Sequence, residues 1–292
     1  MITIIEKDLT KLATIHTESI TKYFCQVNSI DEINESIEYA KRNKLKVKTI
    51  GNGTNILFTQ EKYEDKLFLK LGQGFNYFTE NDDFVEIGGA YSFMRAGKKL
   101  TNAGYADFIY MTLIPGSLGG GVRQNAGTTY EGEVKDAFIS AELYDIENKE
   151  VIELNKNEMN FSYRNSILQD IPNKYIILSA KFLLRDKVDD VDNLKKLVVE
   201  KQHIKKEKEP NGFIFGSTFK SMNYKKKVWW YIDQVGLRGK MIGGAKFSEK
   251  HANWIVNYNN ANANDILSLI YEAQNKVSDN FAINLKIEVD LI

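Results

Sequence analysis

Apolar residues Ile33, Ile37 and Ala40 recur at helical spacing behind Ser29, a good N-cap, so residues 29–43 read as a helix. The alternation that follows over 45–50 reads as a strand, as do 67–71 and 84–87. Ser92 is placed to cap a further helix that stops at Gly104. Two alternating stretches, 138–144 and 151–154, flank the polar run Asp145-Ile146-Glu147-Asn148-Lys149, which predicts a hairpin. Residues 175–184 form the longest strand candidate. Residues 188–201 place Val191, Leu194 and Val198 on one face of a charged helix, and the polar stretch after it ends at Pro210. Beyond it the pattern predicts a short helix through Trp229, Ile232 and Val235, and strands near 241–247 and 253–258. A helix with Ile266, Ile270, Ala273 and Val277 on one stripe and a closing strand over 285–292 complete the chain. Helices and strands thus intermix as in an α+β protein.

At 292 residues the chain exceeds what one hydrophobic core usually serves, so two or three compact units are expected. Hydrophobic residues make up 43% and charged residues 27%, which supports packed cores and argues against disorder. Lys plus Arg equals Asp plus Glu at 39 each, so no net field draws a polyanion and no nucleic-acid partner is expected. The runs Lys205-Lys206-Glu207-Lys208 and Lys225-Lys226-Lys227 read as solvated surface. Cys25 is the single cysteine and cannot form an internal disulfide, which suits a reducing compartment. No stretch approaches the roughly 18 apolar residues of a membrane span, and the N-terminus lacks a signal-peptide pattern. The expectation is a cytoplasmic monomer without membrane insertion.

Candidate chemistry concentrates in glycine-rich and polar segments. Gly51-Asn52-Gly53-Thr54-Asn55 follows a predicted strand, and its small residues would let main-chain N–H groups approach an anion; a plain turn would look the same. Residues 114–127, Ile-Pro-Gly-Ser-Leu-Gly-Gly-Gly-Val-Arg-Gln-Asn-Ala-Gly, hold five glycines in fourteen positions. Such a backbone presses against something, either a pyrophosphate or flavin ring or a neighbouring strand. A dinucleotide fingerprint of the G-x-G-x-x-G kind is absent. Arg164, beside Tyr163, could grip a carboxylate through its planar fork, although a surface arginine reads alike. Ser217 and Lys220 in Gly216-Ser217-Thr218-Phe219-Lys220 could donate a proton or bind phosphate, and Glu288 interrupts an apolar run. Residues 247–254 hold Lys250, His251 and Asn253, as a site loop or as a solvated connection would. Three scattered histidines and one cysteine give no metal spacing, so no metal is expected.

In their order these segments resemble the UDP-N-acetylenolpyruvoylglucosamine reductase (MurB) family, in its shorter variety without an inserted tyrosine loop. The resemblance rests on residues 50–57, on 114–120 with Asn125-Ala126-Gly127, and on Tyr163-Arg164-Asn165-Ser166. It continues through 216–220, Ile242-Gly243-Gly244-Ala245, 248–253 and Glu288-Val289. It implies an FAD-binding domain of the vanillyl-alcohol-oxidase (PCMH) type in two subdomains, 1–71 and 72–186, and an α+β substrate domain, 187–292. FAD would bind non-covalently at Gly51, Asn52, Gly53, Thr54 and Asn55, at Pro115, Gly116, Ser117, Gly119 and Gly120, and at Asn125, Ala126 and Gly127. NADPH would be the reductant and a UDP-sugar enolpyruvyl ether the substrate, in peptidoglycan synthesis. Arg164, Ser217 and Glu288 would be catalytic, while Tyr163, Lys220, Lys250, His251 and Asn253 would contact substrate.

Two departures stand out. Residues 13–23 contain no glycine where the family has a Gly-Gly stretch, and Ser221-Met222 follows Lys220 where the family tends to Asn-Pro. Another flavin oxidoreductase of this fold, or a flavin- or nucleotide-sugar-binding protein without turnover, would share much of the pattern.

Overall fold

The computed structural model describes residues 2–221 and 224–292, so the departure at Met222 lies outside the described residues. The chain divides into two compact units, each assembled from separate stretches. The first takes the chain up to Ile5, Tyr23–Asn52 and Asp65–His203; the second takes Glu6–Lys22, Gly53–Glu64 and Ile204–Ile292. The mixed α+β class holds in both.

In the first unit, Phe24 to Val27 pair in parallel with Phe68 to Leu71, and Lys66–Leu71 pairs in parallel with Lys46–Ile50. Helix Ile30–Arg42 lies on these strands because Ile33, Ile37 and Ala40 share its buried face, and the Ser29 side chain accepts the Glu32 N–H at its start. An antiparallel sheet runs in the order Glu150–Asn155, Phe138–Asp145, Tyr175–Leu183, Phe84–Gly88, Phe78–Glu80. Alternating side chains, with the register broken at irregularities within Phe138–Asp145, separate two cores. Tyr144, Ile176 and Leu178 join the core under helix Ile30–Arg42. Leu143, Ile177 and Ala180 face the other, built with Phe93, Phe108, Met111, Leu118 and Val122.

That second core explains a helix the sequence pattern does not predict, Leu118–Arg123, which contains three consecutive glycines. Glycine disfavours helix by about 1 kcal/mol per residue. Here tertiary contact overrides that preference, because a Cβ at Gly121 would stand 2.5 Å from the Phe93 ring. The predicted helix over 188–201 is Val191–Lys208, with Leu194 and Val198 buried.

In the second unit, helix Ala263–Phe281 buries Ile266, Leu269, Ile270, Ala273 and Val277. Met241–Ile242 and Ala245–Phe247 form a hairpin through Gly243 and Gly244, and Ile255–Asn257 adds a third strand. The expected strand over 285–292 is corrected: it is a bridge at Ile287 with Phe219, followed by a short parallel pairing of Asp290–Leu291 with Ile56–Leu57. The cause is a change of partner at Glu288. Its N–H donates to the Thr218 carbonyl, whereas its own carbonyl accepts from the Asn55 side-chain amide at 3.1 Å. Among the described residues no helix is long and apolar enough to cross a membrane.

Candidate active site

Strand Lys46–Ile50 delivers Gly51 and Asn52 to its end in the first unit. A Cβ at Gly51 would stand 2.3 Å from the Ser117 Oγ, so the two glycine-rich segments meet here. Ser117 is buried and caps Leu118–Arg123, accepting the Gly120 N–H at 3.3 Å. Gly116, after Pro115, sits at φ +147°, a conformation open to glycine. The Gly119 N–H donates to the Gly89 carbonyl at 2.9 Å, so packing within the unit accounts for Gly119, as the Phe93 ring does for Gly121. At Gly120, by contrast, a Cβ would meet the Ser117 Oγ at 3.3 Å and otherwise open space. Beside the buried Ser117, Gly51 and Gly120 are thus exposed and without side chains.

Past the helix, Asn125 is fully buried at φ +43°. Its amide donates to the Ser162 carbonyl at 2.9 Å and accepts the Lys135 N–H at 3.0 Å, so the side chain is committed to holding two loops. Ala126 accepts the Val134 N–H at 2.9 Å, and Gly127 opens the hairpin Gly127–Thr128 with Gly132–Glu133.

These carbonyls receive Arg164. One guanidinium nitrogen donates to the Asn125 carbonyl at 3.3 Å and the other to the Gly127 carbonyl. The Tyr163 ring lies 5.0 Å from the guanidinium carbon, and Glu133 Oε2 is 3.8 Å from Nη1. Arg164 itself sits at φ +52°, in the left-handed region that non-glycine residues seldom occupy. Glu133 belongs to this cluster although nothing in the sequence pattern marks it; the only trace is its place across the hairpin from Gly127.

The second unit gathers the remaining candidates. Gly53 lies so close to the Leu12 carbonyl that a Cβ would stand 1.6 Å from its oxygen. Thr54 follows, and Asn55 holds Glu288 through its side chain while its own carbonyl accepts the Asp290 N–H at 2.9 Å. Phe219 opposes Ile287, which sets the half-buried Ser217 and Glu288 on adjacent antiparallel segments. Lys220 donates its N–H to the Lys286 carbonyl at 2.8 Å on the same ladder.

Asn253 secures the Ser217 segment from its other side. Its buried amide accepts the Phe219 N–H at 3.1 Å and donates to the Phe219 carbonyl at 2.9 Å. The loop before it turns on the Ser248 Oγ, which accepts the Lys250 and His251 N–H groups at 3.0 and 3.2 Å. Lys250 Nζ donates to the Lys206 carbonyl at 3.0 Å. His251 Nδ1 accepts the Asn253 N–H at 3.3 Å, and burial, aided by the Arg238 charge, holds its imidazole below the ordinary histidine value. A neutral ring whose Nδ1 accepts must carry its proton on Nε2.

The chain matches the family model for the C-terminal domain of UDP-N-acetylenolpyruvoylglucosamine reductase over residues 205–292, and that of an FAD binding domain over 21–155. The UDP-N-acetylenolpyruvoylglucosamine reductase of Bacillus pumilus is 31% identical over 264 residues, covering 90% of this chain and 85% of its own length. That of Caldanaerobacter subterraneus is 36% identical over 267 residues, again covering 90% and 85%. The crystal structure of the enzyme from Thermus caldophilus shares the fold with a TM-score of 0.83 at 22% identity, over 100% of this chain and 99% of its own. The chain belongs to the UDP-N-acetylenolpyruvoylglucosamine reductase family.

Proposed function

We propose that this chain reduces UDP-N-acetylglucosamine enolpyruvate to UDP-N-acetylmuramate with FAD as cofactor and NADPH as reductant, a step of peptidoglycan synthesis. Family membership over nine-tenths of the chain supports the reaction. The observation that carries the chemistry is the pairing of Phe219 with Ile287, which sets Ser217 beside the Glu288 strand. FAD, when bound, supplies the hydride that NADPH provides. Gly51 and Gly120, both exposed and without side chains, leave main chain that an FAD can approach closely.

Hydride addition at C3 of an enolpyruvyl carboxylate builds negative charge at C2 and the carboxylate. Arg164 holds that carboxylate, since its planar fork suits two oxygens. A donor aimed at developing charge lowers such a barrier by about 3 kcal/mol. Ser217 donates the proton to C2. A hydroxyl is a weak acid, so the transfer has to be concerted with collapse of the enolate in a pre-aligned site. Glu288, protonated or linked through water, orients or replenishes that donor. Tyr163, Lys220, Lys250 and His251 contact the substrate, the last as an uncharged Nε2–H donor. Asn253, whose amide is engaged by Phe219, positions the Ser217 segment. We further take the chain to act as a monomer, and the buried Cys25 and an NADPH reductant suit the cytoplasm.

The test is an anaerobic stopped-flow experiment in which the FAD-loaded protein is bleached with NADPH and mixed with the enolpyruvyl substrate. Fast return of the oxidised flavin spectrum supports the reading; return only on admitting oxygen, or a protein that takes up no FAD, ends it.

A further inference from the structure

We propose that Glu133 is a positioning residue that aims the Arg164 guanidinium, an inference that rests on Arg164 binding the substrate carboxylate. Arg164 is held against the hairpin by the Asn125 and Gly127 carbonyls and faced by Glu133 Oε2 at 3.8 Å. The two carbonyls accept hydrogen bonds from the guanidinium, whereas Glu133 at 3.8 Å adds the attraction of an opposite charge. The pair is largely withdrawn from water, with side-chain exposures of 14% for Arg164 and 19% for Glu133, so solvent screens it little.

The hairpin is built for this approach. Glu133 is the cross-strand partner of Gly127, and a Cβ at Gly127 would stand 2.3 Å from the Glu133 Cβ. The residue whose carbonyl takes Arg164 is therefore also the one whose missing side chain admits Glu133. The left-handed Arg164 backbone is an unfavourable conformation that persists where surrounding contacts over-determine it.

An acid beside an anion-binding arginine would ordinarily weaken the site. Lys135 removes that objection, because its Nζ lies 2.6 Å from Glu133 Oε1. Lys135 and Arg164 then both face the Glu133 carboxylate, which offsets its charge towards the incoming carboxylate.

The opposing effects make the sign of a mutation decisive. If Glu133 is a bystander, Glu133→Gln makes the site more positive and the anionic substrate binds equally well or more tightly. If it aims Arg164, the same change weakens binding despite the added positive charge. Calorimetric titration of UDP-N-acetylglucosamine enolpyruvate into the oxidised, FAD-loaded enzyme reads this directly. We expect Glu133→Gln to raise Kd about three- to tenfold, as for neighbours in one network. Glu133→Asp, which keeps the charge but draws it back by one methylene, shifts Kd in the same direction, and Arg164→Met weakens binding further. In the double variant Glu133→Gln/Arg164→Met the loss does not exceed that of Arg164→Met alone. Unchanged or tighter binding in Glu133→Gln, or losses that multiply in the double variant, overturns the proposal. Wild-type affinity in Arg164→Met would instead overturn the carboxylate role of Arg164, and this inference with it. Unfolding temperature and FAD uptake, measured alongside, separate loss of fold from loss of aim, and Glu133→Asp carries the test if Glu133→Gln does not fold.

Discussion

At the scale of single residues, space and proton supply set the expectations. Gly127 admits no side chain, since a Cβ would meet Glu133 Cβ at 2.3 Å and the Gly132 carbonyl oxygen at 2.6 Å. Gly127→Ala therefore forces the hairpin apart, at about 1–3 kcal/mol of overpacking strain. It also displaces the carbonyl that receives Arg164. Denaturant unfolding should show the lost stability, and substrate titration a raised Kd in the fraction that remains folded. Ser217 gives a different signature. Removing a proton donor slows its step roughly 10²- to 10⁴-fold. In Ser217→Ala the stopped-flow trace with NADPH should stay close to wild type while reoxidation by substrate slows by that factor. Equal loss in both phases would remove Ser217 from the proton transfer.

At the scale of elements, caps decide where helices start. Ser29 does so for Ile30–Arg42. For Ala263–Phe281 the Asn262 side chain accepts the Asp265 N–H at 3.0 Å, and Asp265 Oδ2 in return accepts the Asn262 N–H at 3.2 Å. Asp265 also accepts the Gly244 N–H at 3.0 Å, which ties the hairpin turn to the helix start. Asp265→Ala removes both bonds. A lost cap costs about 1 kcal/mol, and a donor left without a partner about as much again. Urea unfolding should therefore place this variant about 2 kcal/mol below wild type, whereas Asp265→Asn, which keeps an acceptor oxygen, should recover part of the difference.

At the scale of the whole molecule, folding is linked to pH through His251. Burial lowers its folded pKa below the ordinary 6.5, so the unfolded chain takes up the proton more readily. The resulting stability is fully present above 6.5 and declines as pH falls through 6.5 towards the folded value. Thermal unfolding measured from pH 7.5 down to about pH 5 should show His251→Gln losing less stability than wild type over that interval. Parallel curves would mean that His251 protonates as easily in the folded protein as in the unfolded one.

Much of this architecture was legible along the chain. Ser29 with Ile33, Ile37 and Ala40 specifies its helix locally, because a cap and a 3.6-residue period need no distant partner. The alternation in Phe138–Asp145 and Tyr175–Leu183 likewise indicates two buried faces, although register shifts between these strands change which residues face which core. Ordered motifs over most of the chain, from 50–57 to Glu288-Val289, point to the family. What distant contact decides could not be read this way. Helix Leu118–Arg123 contradicts the preference of its own glycines and forms because Phe93 leaves room for nothing larger at Gly121. The strand expected over 285–292 breaks because Glu288 turns from Thr218 to Asn55, which lies 233 residues away. That the Asn125 and Asn253 amides both engage main chain is likewise visible only in the folded protein. Glu133 carries no sequence signal, because its importance comes only from facing Arg164 across the fold. Local periodicity and capping determine elements from sequence alone; partners brought together across hundreds of residues exist only once the tertiary structure closes.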